Sequence, residues 1–296
     1  MGDITWKNIM ILIDYNGLAI GSGLQHRGEM NEDLFRHTIL NNLRMYRNKF
    51  KDKYGELVIC GDGRKNWRKE VFPNYKFKRG ESKSKSDIDW NELYRIIYKV
   101  YDELSENFPY KTVLVDECEA DDVIATLTEN TQEFGKHEPV MIISADKDFV
   151  QLQKYDNVRQ YSPMKKQYII EKNPRKQLLE LILKGDQSDG IPNVLSGDNC
   201  FVEGIRQTPL RQAKIDELID KLYNTYKEPY GKDEDWMRNY QRNKMLIDLS
   251  EIPQDIKTEI LNRFEGQDKW SNRSKVFPFL VEKRCRMLLE DIKDFI

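Results

Sequence analysis

Residues 8–14 have the sequence Asn-Ile-Met-Ile-Leu-Ile-Asp, in which a strand-like apolar run, 8–13, ends against a carboxylate. Similar runs follow at 56–60, 112–115, 139–143 and 157–161, and helix-length segments separate most of them. Short apolar runs alternating with helical segments predict parallel strands joined by right-handed crossovers. We therefore expect an α/β fold with a mostly parallel twisted sheet flanked by helices.

The strand pattern stops after residue 172, and helical patterns continue to the C-terminus. In the first part, helical periodicity is clearest behind Asn31 and behind Asp89, both of which are typical N-cap residues. In the second part we expect helices at 174–183, 211–226, 234–249, 254–264 and 280–292. The sequence thus predicts an α/β domain over 1–172 and a smaller all-helical domain over 173–296.

Carboxylates recur just beyond the apolar runs and in two further clusters. They are Asp14, Asp62, Glu119, Asp121, Asp122, Asp146, Asp148, Asp186 and Asp189. Open α/β sheets bind ligands at the carboxyl ends of their strands, so these groups are expected to share a cleft. Their repulsion favours hard divalent cations, Mg²⁺ or Mn²⁺. A single Asp is more often a turn former or a helix cap, and only the repetition favours a metal site.

A basic and aromatic segment follows directly on Asp62. Residues 64–85 contain nine Lys and Arg interleaved with Trp67, Phe72, Tyr75 and Phe77, although the whole chain has a net charge of −2. Cations for phosphates and rings for bases are typical of a nucleic-acid contact. A charge run is usually only a solvated face, but its position after Asp62 favours contact with a phosphate.

Composition excludes several classes of protein. The chain has 296 residues, 39% hydrophobic and 33% charged, and no apolar run approaches the length of a membrane span. Met1–Lys7 is not a signal peptide, and the four cysteines form no Cys-x-x-Cys pair. The three histidines stand in no paired arrangement, which disfavours zinc hydrolases and catalytic triads. We expect a cytoplasmic protein without a membrane partner.

The order of the acidic motifs resembles the 5′-nuclease (flap endonuclease) superfamily, and most of all its T-even-type bacteriophage RNase H branch. The motifs are Leu12-Ile-Asp14, Gly61-Asp62, Glu119-Ala-Asp-Asp122, Ser144-Ala-Asp146-Lys-Asp148 and Gly185-Asp186-Gln-Ser-Asp189-Gly-Ile-Pro192. The similarity covers essentially the whole chain, because it extends through Trp67-Arg68, 160–164 and 279–283.

This resemblance implies roles for individual residues. One Mg²⁺ near the reacting phosphate would be surrounded by Asp14, Asp62, Glu119, Asp121, Asp122 and Asp146. A second, weaker ion would be held by Asp148, Asp186 and Asp189. Residues 63–88 would form an arch over a 5′ single strand, in which Lys76 and Arg79 contact the phosphate near the scissile bond. Catalysis would then depend on Asp14, Asp62, Asp122, Asp146, Lys76 and Arg79, with Arg64, Lys65 and Arg68 as lesser nucleic-acid contacts.

The second domain resembles the family's helix-three-turn-helix motif, which grips duplex DNA by its backbone. The resemblance implies backbone contacts at Gly204, Arg206 and Arg211. The chain departs from the family pattern there, since it has Gly190 for Asn, Asn193 for Gly and an insertion around 195–202. These departures put a monovalent-ion site in this turn in doubt.

The expected function is that of a Mg²⁺-dependent 5′ to 3′ exonuclease and flap endonuclease, with two ions for which Mn²⁺ can substitute. Its substrates would be DNA and RNA-DNA hybrids with 5′ ends, flaps or forks, and it would remove RNA primers from lagging-strand fragments. The resemblance also implies a monomer in the bacterial or phage-infected cytoplasm, with contacts to a sliding clamp and a single-strand DNA-binding protein. Two alternatives stay open: a non-catalytic junction-binding accessory protein, and an aspartyl-phosphate phosphatase, which needs a second Asp where this chain has Asn16.

Overall fold

The computed structural model describes residues 9–25, 31–132, 136–224 and 235–296. The strands are β1 (Met10–Asp14), β2 (Glu56–Cys60), β3 (Lys111–Val113), β4 (Val140–Ile143), β5 (Val158–Ser162) and β6 (Gln167–Ile169). The helices are α1 (Tyr15–Gln25), α2 (Glu32–Tyr54), α3 (Arg68–Val71), α4 (Lys78–Ser84), α5 (Trp90–Asn107), α6 (Ala120–Gln132), α7 (Pro174–Lys184), α8 (Gln212–Asn224), α9 (Asp235–Ile247), α10 (Gln254–Glu265), α11 (Arg273–Glu282) and α12 (Arg286–Leu289). The predicted strand start at residue 8, the predicted helix end at 226 and the predicted helix start at 234 lie outside the described residues.

A six-stranded sheet forms the centre of the first part of the chain. Its strand order is β3-β2-β1-β4-β5-β6, and all neighbouring pairs are parallel except β5 and β6. The predicted α/β fold with a mostly parallel sheet is therefore confirmed. The register sets Asp14 opposite Cys60 on β2 and Ile13 opposite Ile143 on β4. The carboxyl ends of β1, β2 and β4 consequently lie side by side.

Side-chain caps fix the starts of the two long helices that cover the sheet. Asn31 accepts hydrogen bonds from the amides of Asp33 and Leu34, and Asp89 accepts one from the amide of Glu92. Each cap satisfies amides that have no partner inside the helix, as the sequence predicts.

Buried Arg36 ties these two helices together. Its guanidinium on α2 is paired with Glu103 on α5 at 2.6 Å and with Glu32 at 2.7 Å. The Lys99 ammonium, first among several cations, lowers the pKa of Glu32 to about 2. The ion pairs therefore stay charged at neutral pH, and they hold α2 and α5 in a fixed position beside the sheet.

Several elements differ from the sequence prediction, among them the short helices α3 and α4, which were not predicted. Helix α1 and strand β6 were not predicted: α1 carries Gly17, Gly21 and Gly23, and β6 is an antiparallel hairpin strand of three residues. The predicted helix over 280–292 is wrong. The chain breaks between α11 and α12, where Arg284 has a φ of 55°, a left-handed conformation that no α-helix contains.

The described contacts divide the chain into two compact units. The first consists of Met1–Lys65, Ile88–Glu171 and Gln254–Ile296, and the second of Asn66–Asp87 and Lys172–Pro253. The C-terminal segment joins the first unit because Val276, Phe279, Leu280 and Phe295 belong to its apolar core. Gln267 also continues the sheet edge, since its side chain accepts from the Thr112 amide and donates to the Thr112 carbonyl. The units divide between Glu171 and Lys172, and in addition residues 66–87 belong to the second unit and residues 254–296 to the first.

The second unit is helical among its described residues. Its core joins α7, α8 and α9 to Phe72 and Tyr75. The segment 185–211 between α7 and α8 contains turns and a single β-bridge, Asp186 to Ile191, but no described helix or strand. The described helices of this unit pack around one apolar core, which agrees with the predicted all-helical character. The helix-three-turn-helix motif is not confirmed and remains a prediction. Among the described residues, no helix combines the length and apolar character that a membrane span requires.

Candidate active site

A serine hydroxyl joins the carboxylates of β1 and β4. Ser144 follows β4 directly, and its Oγ donates to Asp14 Oδ2 at 2.7 Å. The same Oγ accepts from the Asp146 amide at 3.0 Å. Asp14 also begins α1, since its Oδ1 accepts from the Gly17 amide at 2.9 Å. Asp14 and the loop of Asp146 are thus held together at the carboxyl end of the sheet.

Buried Gln160 on β5 fixes the same loop from its other side. Its Nε2 donates to the carbonyls of Ser144 at 3.2 Å and Asp146 at 2.6 Å, while its Oε1 accepts from Gln153. Asp146 in turn accepts at Oδ1 from the Asp148 amide at 2.9 Å. The Asp-x-Asp pair therefore stands on a loop that is hydrogen-bonded along its length.

Asp62, in the loop after β2, contacts the start of α1 and the start of α6. Its amide donates to Asn16 Oδ1 at 3.0 Å, and its Oδ1 accepts from the Ala120 amide at 2.9 Å. The next amide, of Gly63, donates to the Cys118 carbonyl at 2.8 Å. Asp62 is consequently fixed both to the start of α1 and to the start of α6.

The acidic cluster 119–122 forms the N-terminus of α6. Asp122 is fully buried, and its Oδ2 accepts from the Glu119 amide at 3.0 Å, which is one half of a capping box. The positive end of the helix dipole favours such carboxylates. Asp122 therefore caps α6, and this capping role is compatible with the predicted metal-binding role. Glu119 and Asp121 are partly exposed in the same turn.

The donor set suits a hard divalent cation, because it consists of carboxylate oxygens. Asp14 ends β1, Asp62 and Asp146 lie on the loops after β2 and β4, and Asp122 lies in the first turn of α6. Within the described ranges, no three His, Cys, Asp or Glu side chains already form a ready-made metal cluster. Hydrogen bonds to amides and a hydroxyl orient these carboxylates, so a cation would have to draw them inward.

A cleft of about 740 Å³ opens beside Asp62 within the first unit. Its residues include three acids, three cations and a tyrosine: Asp62, Asp102, Asp116, Arg64, Arg263, Lys269 and Tyr98. Tyr98 also donates to the Asp62 carbonyl at 3.3 Å. The volume of the cleft is within the range of small-molecule sites, and cations line it beside Asp62.

In the second unit, the predicted phosphate-contacting cations are bonded to a predicted metal ligand. Asp189 accepts from Arg79 at 2.7 Å, and Lys76 Nζ lies 3.7 Å from its other oxygen. Asp186 accepts from the amide and the hydroxyl of Ser188. The sequence did not predict this pairing, which offsets the charge of Asp189 within the protein.

The backbone around Lys76 has an uncommon conformation. Lys76 has a φ of 57°, and its amide donates to the Asp189 carbonyl at 2.7 Å. Gly190, with a φ of 73°, passes so close that an added Cβ would lie 2.9 Å from the Asn74 carbonyl oxygen. Non-glycine residues rarely adopt such a φ without support from their surroundings. Glycine at position 190 therefore allows the close approach that fixes Lys76.

The other predicted nucleic-acid contacts differ in exposure. Arg64 and Lys65 are exposed, as are Gly204, Arg206 and Arg211. Arg68 is 3% exposed, its Nε donates to the Leu246 carbonyl, and its guanidinium lies over Trp67. The prediction that Arg68 contacts nucleic acid is therefore corrected: its guanidinium is used in packing the second unit.

Several residues that position the carboxylates were not predicted as site residues. They are Asn16, Gly17, Gly63, Tyr98, Ser144 and Gln160. Ser144 carried a usable signal, since it follows an apolar run and precedes Asp146 by two residues. The others act through contacts between residues that are distant in sequence, or through the backbone amide of a glycine. A single sequence reveals neither kind of contact.

Replacing Ser144 with Ala tests the link between Asp14 and Asp146. We expect apparent Mg²⁺ affinity in a cleavage assay to fall about tenfold to a hundredfold, as for other residues that orient metal ligands. Stability should fall by about 1–2 kcal/mol because the substitution removes two hydrogen bonds. Ser22→Ala is the matched control, since buried Ser22 also donates one hydrogen bond and accepts another. An Mg²⁺ titration that Ser144→Ala leaves unchanged would contradict the link.

Comparisons with known proteins agree on one family. The protein-family model described as 5′-3′ exonuclease, N-terminal resolvase-like domain, matches residues 24–178. The family model described as T4 RNase H, C terminal, matches residues 173–295. Ribonuclease H of Enterobacteria phage T4 is 33% identical over 306 residues, covering 100% of this chain and 98% of the relative. A 5′-3′ exonuclease of Buchnera aphidicola subsp. Schizaphis graminum is 31% identical over 145 residues, 47% of each chain.

A solved structure shares the fold. The bacteriophage T5 flap endonuclease, crystallised as a complex with DNA and metal ions, has a TM-score of 0.63 and 16% sequence identity. The match covers 86% of this chain and 99% of that chain.

Proposed function

Because the chain belongs to the 5′-3′ exonuclease family of nucleases and has a T4 RNase H-type C-terminal part, we propose that it hydrolyses phosphodiesters at 5′ ends and 5′ flaps in a divalent-metal-dependent reaction. Its substrates would be duplex DNA and RNA-DNA hybrids, and its role the removal of RNA primers during replication in the bacterial or phage-infected cytoplasm. One observation carries the proposal: the hydroxyl of Ser144 joins Asp14 to the loop of Asp146 at the strand ends.

The carboxylates of the first unit would hold the first ion. These are Asp14, Asp62, Glu119, Asp121, Asp122 and Asp146, and Asp148, Asp186 and Asp189 would contribute to a second ion. Bound Mg²⁺ or Mn²⁺ ions would supply a more acidic water and would stabilise the charge of the leaving 3′-oxygen. No side chain of the protein need form a covalent bond to the substrate.

The protein's own contribution is orientation. The Ser144 and Gln160 hydrogen bonds hold Asp146, and the Asn16 and Ala120 contacts hold Asp62, before substrate arrives. Fixed ligands reduce the reorganisation that accompanies the reaction. The burial of Asp122 excludes water from one side of its carboxylate. These contacts would limit how far each carboxylate has to move when an ion draws them together.

Cations of each unit would bind phosphates of the substrate. In the first unit, exposed Arg64 and Lys65 directly follow the loop of Asp62. In the second, Lys76 and Arg79 would exchange Asp189 for a substrate phosphate, and Gly204 and Arg211 would meet the duplex backbone. The predicted division at residue 172 would then separate cleavage from duplex binding, and a sliding clamp and a single-strand DNA-binding protein are the expected partners.

Cleavage of a 5′-labelled flapped duplex and of an RNA-primed DNA tests the proposal. We expect short products carrying the labelled 5′ end when Mg²⁺ or Mn²⁺ is present, and none in EDTA. A duplex with the label at a blunt 3′ end controls for contaminating 3′ nucleases. If the protein bound the flap but formed no product with either Mg²⁺ or Mn²⁺, the proposal would be overturned in favour of a non-catalytic junction-binding protein.

A further inference from the structure

The segment that departs from the family pattern lines an open pocket in the second unit. Residues 193–210, together with α4 and the end of α7, line a cavity of about 480 Å³. That volume falls in the range of small-molecule sites and exceeds what a lone phosphate fills. The pocket therefore has room for a whole nucleotide.

The lining of the pocket is positively charged. Lys78, Lys184 and Arg206 contribute their cations, and none of the residues that line it carries a carboxylate. Lys184 is also paired with Glu180 at 2.6 Å, outside the lining. Arg206 is exposed and has no ion-pair partner among the residues the structure describes. The pocket thus favours an anion.

An aromatic ring and apolar side chains complete the wall. Lys78 Nζ lies 5.1 Å from the ring centroid of Phe201, and Ile205 and Leu210 also line the pocket. A ring beside several cations is the combination with which proteins hold single strands, because a base can stack while phosphates meet the cations. An inorganic anion would contact the cations but not these apolar side chains.

Asn193 gives the pocket a fixed frame. Its Oδ1 accepts from the Leu195 amide at 3.0 Å and from Ser196 Oγ at 2.9 Å. Its Nδ2 donates to the Thr208 carbonyl at 2.9 Å, and its amide donates to Gln207 Oε1 at 2.7 Å. One side chain therefore bonds both arms of the segment, so the departure from glycine at this position organises the pocket.

We propose that this pocket binds one unpaired nucleotide of a nucleic-acid strand, with its phosphates on Lys78, Lys184 and Arg206 and its base against Phe201. The inference rests on the proposed function for its substrate class, and it deepens that function by naming a site for single-stranded nucleic acid. It predicts that single strands bind the second unit through side-chain cations and a ring.

The test is binding of a short, labelled oligothymidylate to the full chain in EDTA, measured by fluorescence anisotropy across a salt series. Arg206→Gln and Lys78→Gln are each expected to weaken binding and to reduce the salt slope by about 0.7 for each phosphate that no longer meets a cation. Phe201→Ala should weaken binding at least about fivefold with an unchanged slope. Arg175→Gln is the matched control, since exposed Arg175 lies on α7 outside the lining.

Wild-type affinity and salt slope in both Arg206→Gln and Lys78→Gln would overturn the proposal. Equal weakening of a blunt duplex and the oligothymidylate in all three variants would also overturn it, because the pocket would then hold a paired backbone. The readout needs no turnover. A wild-type protein that binds the strand in this way but cleaves nothing in Mg²⁺ would refute the proposed nuclease reaction and leave the pocket supported.

Discussion

Asp122→Asn is expected to lower Mg²⁺-dependent cleavage at least about a hundredfold while the protein stays folded. Asp122 is fully buried, and one of its oxygens accepts from the Glu119 amide. The Asn amide oxygen can accept the same hydrogen bond, so the cap of α6 survives. The substitution removes the negative charge that a divalent ion would require. The neutral amide oxygen of Asn binds such an ion more weakly than a carboxylate oxygen does.

Thermal unfolding with and without Mg²⁺ distinguishes a loss of metal binding from a loss of stability. A ligand that binds only the folded state raises the melting temperature, so the Mg²⁺-induced rise should shrink in Asp122→Asn. The melting temperature without Mg²⁺ should be unchanged or higher, because a buried charge is removed. Asp89→Asn controls for the loss of a helix-capping carboxylate elsewhere, since exposed Asp89 accepts from the Glu92 amide at the start of α5. Full cleavage by Asp122→Asn would remove the metal argument.

The sheet could be predicted from the sequence because its signals are local. The runs 8–13, 56–60 and 139–143 are apolar on both faces, as parallel strands require, and each is followed within three residues by a carboxylate. Caps such as Asn31 are local as well. Parallel pairing then brings distant carboxylates to neighbouring strand ends without any further information.

What could not be predicted depends on contacts between distant segments. Nothing near Gln160 in the sequence indicates that its amide holds the loop of Asp146. The left-handed conformation of Arg284 interrupts the segment 280–292, for which a helix was predicted. No glycine at this position indicates it in the sequence. The pairing of Asp189 with Arg79, which is 110 residues away in sequence, arises only in the folded unit. A basic residue such as Arg68 looks like a phosphate contact until its burial is known.

Glycine 63 is the position where a single methyl group is expected to disrupt the site most. An added Cβ would lie 2.1 Å from the Val115 carbonyl oxygen and 2.7 Å from the Asp116 carbonyl carbon, so backbone rather than a side chain would have to move. The Gly63 amide also donates to the Cys118 carbonyl. Gly63→Ala therefore pushes the loop of Asp62 away from the start of α6.

We expect Gly63→Ala to cost about 1–3 kcal/mol of stability, as overpacking usually does. Cleavage should fall about a hundredfold, because Asp62 is displaced from the other carboxylates. Gly21→Ala is the matched control: nothing lies within 4 Å of its added Cβ, and alanine stabilises a helix interior by about 0.5–1 kcal/mol. Urea unfolding and single-turnover cleavage below the unfolding transition measure the two effects separately. If folded Gly63→Ala cleaves at the wild-type rate, the contact between the loops of Asp62 and Val115 does not position the reacting carboxylates.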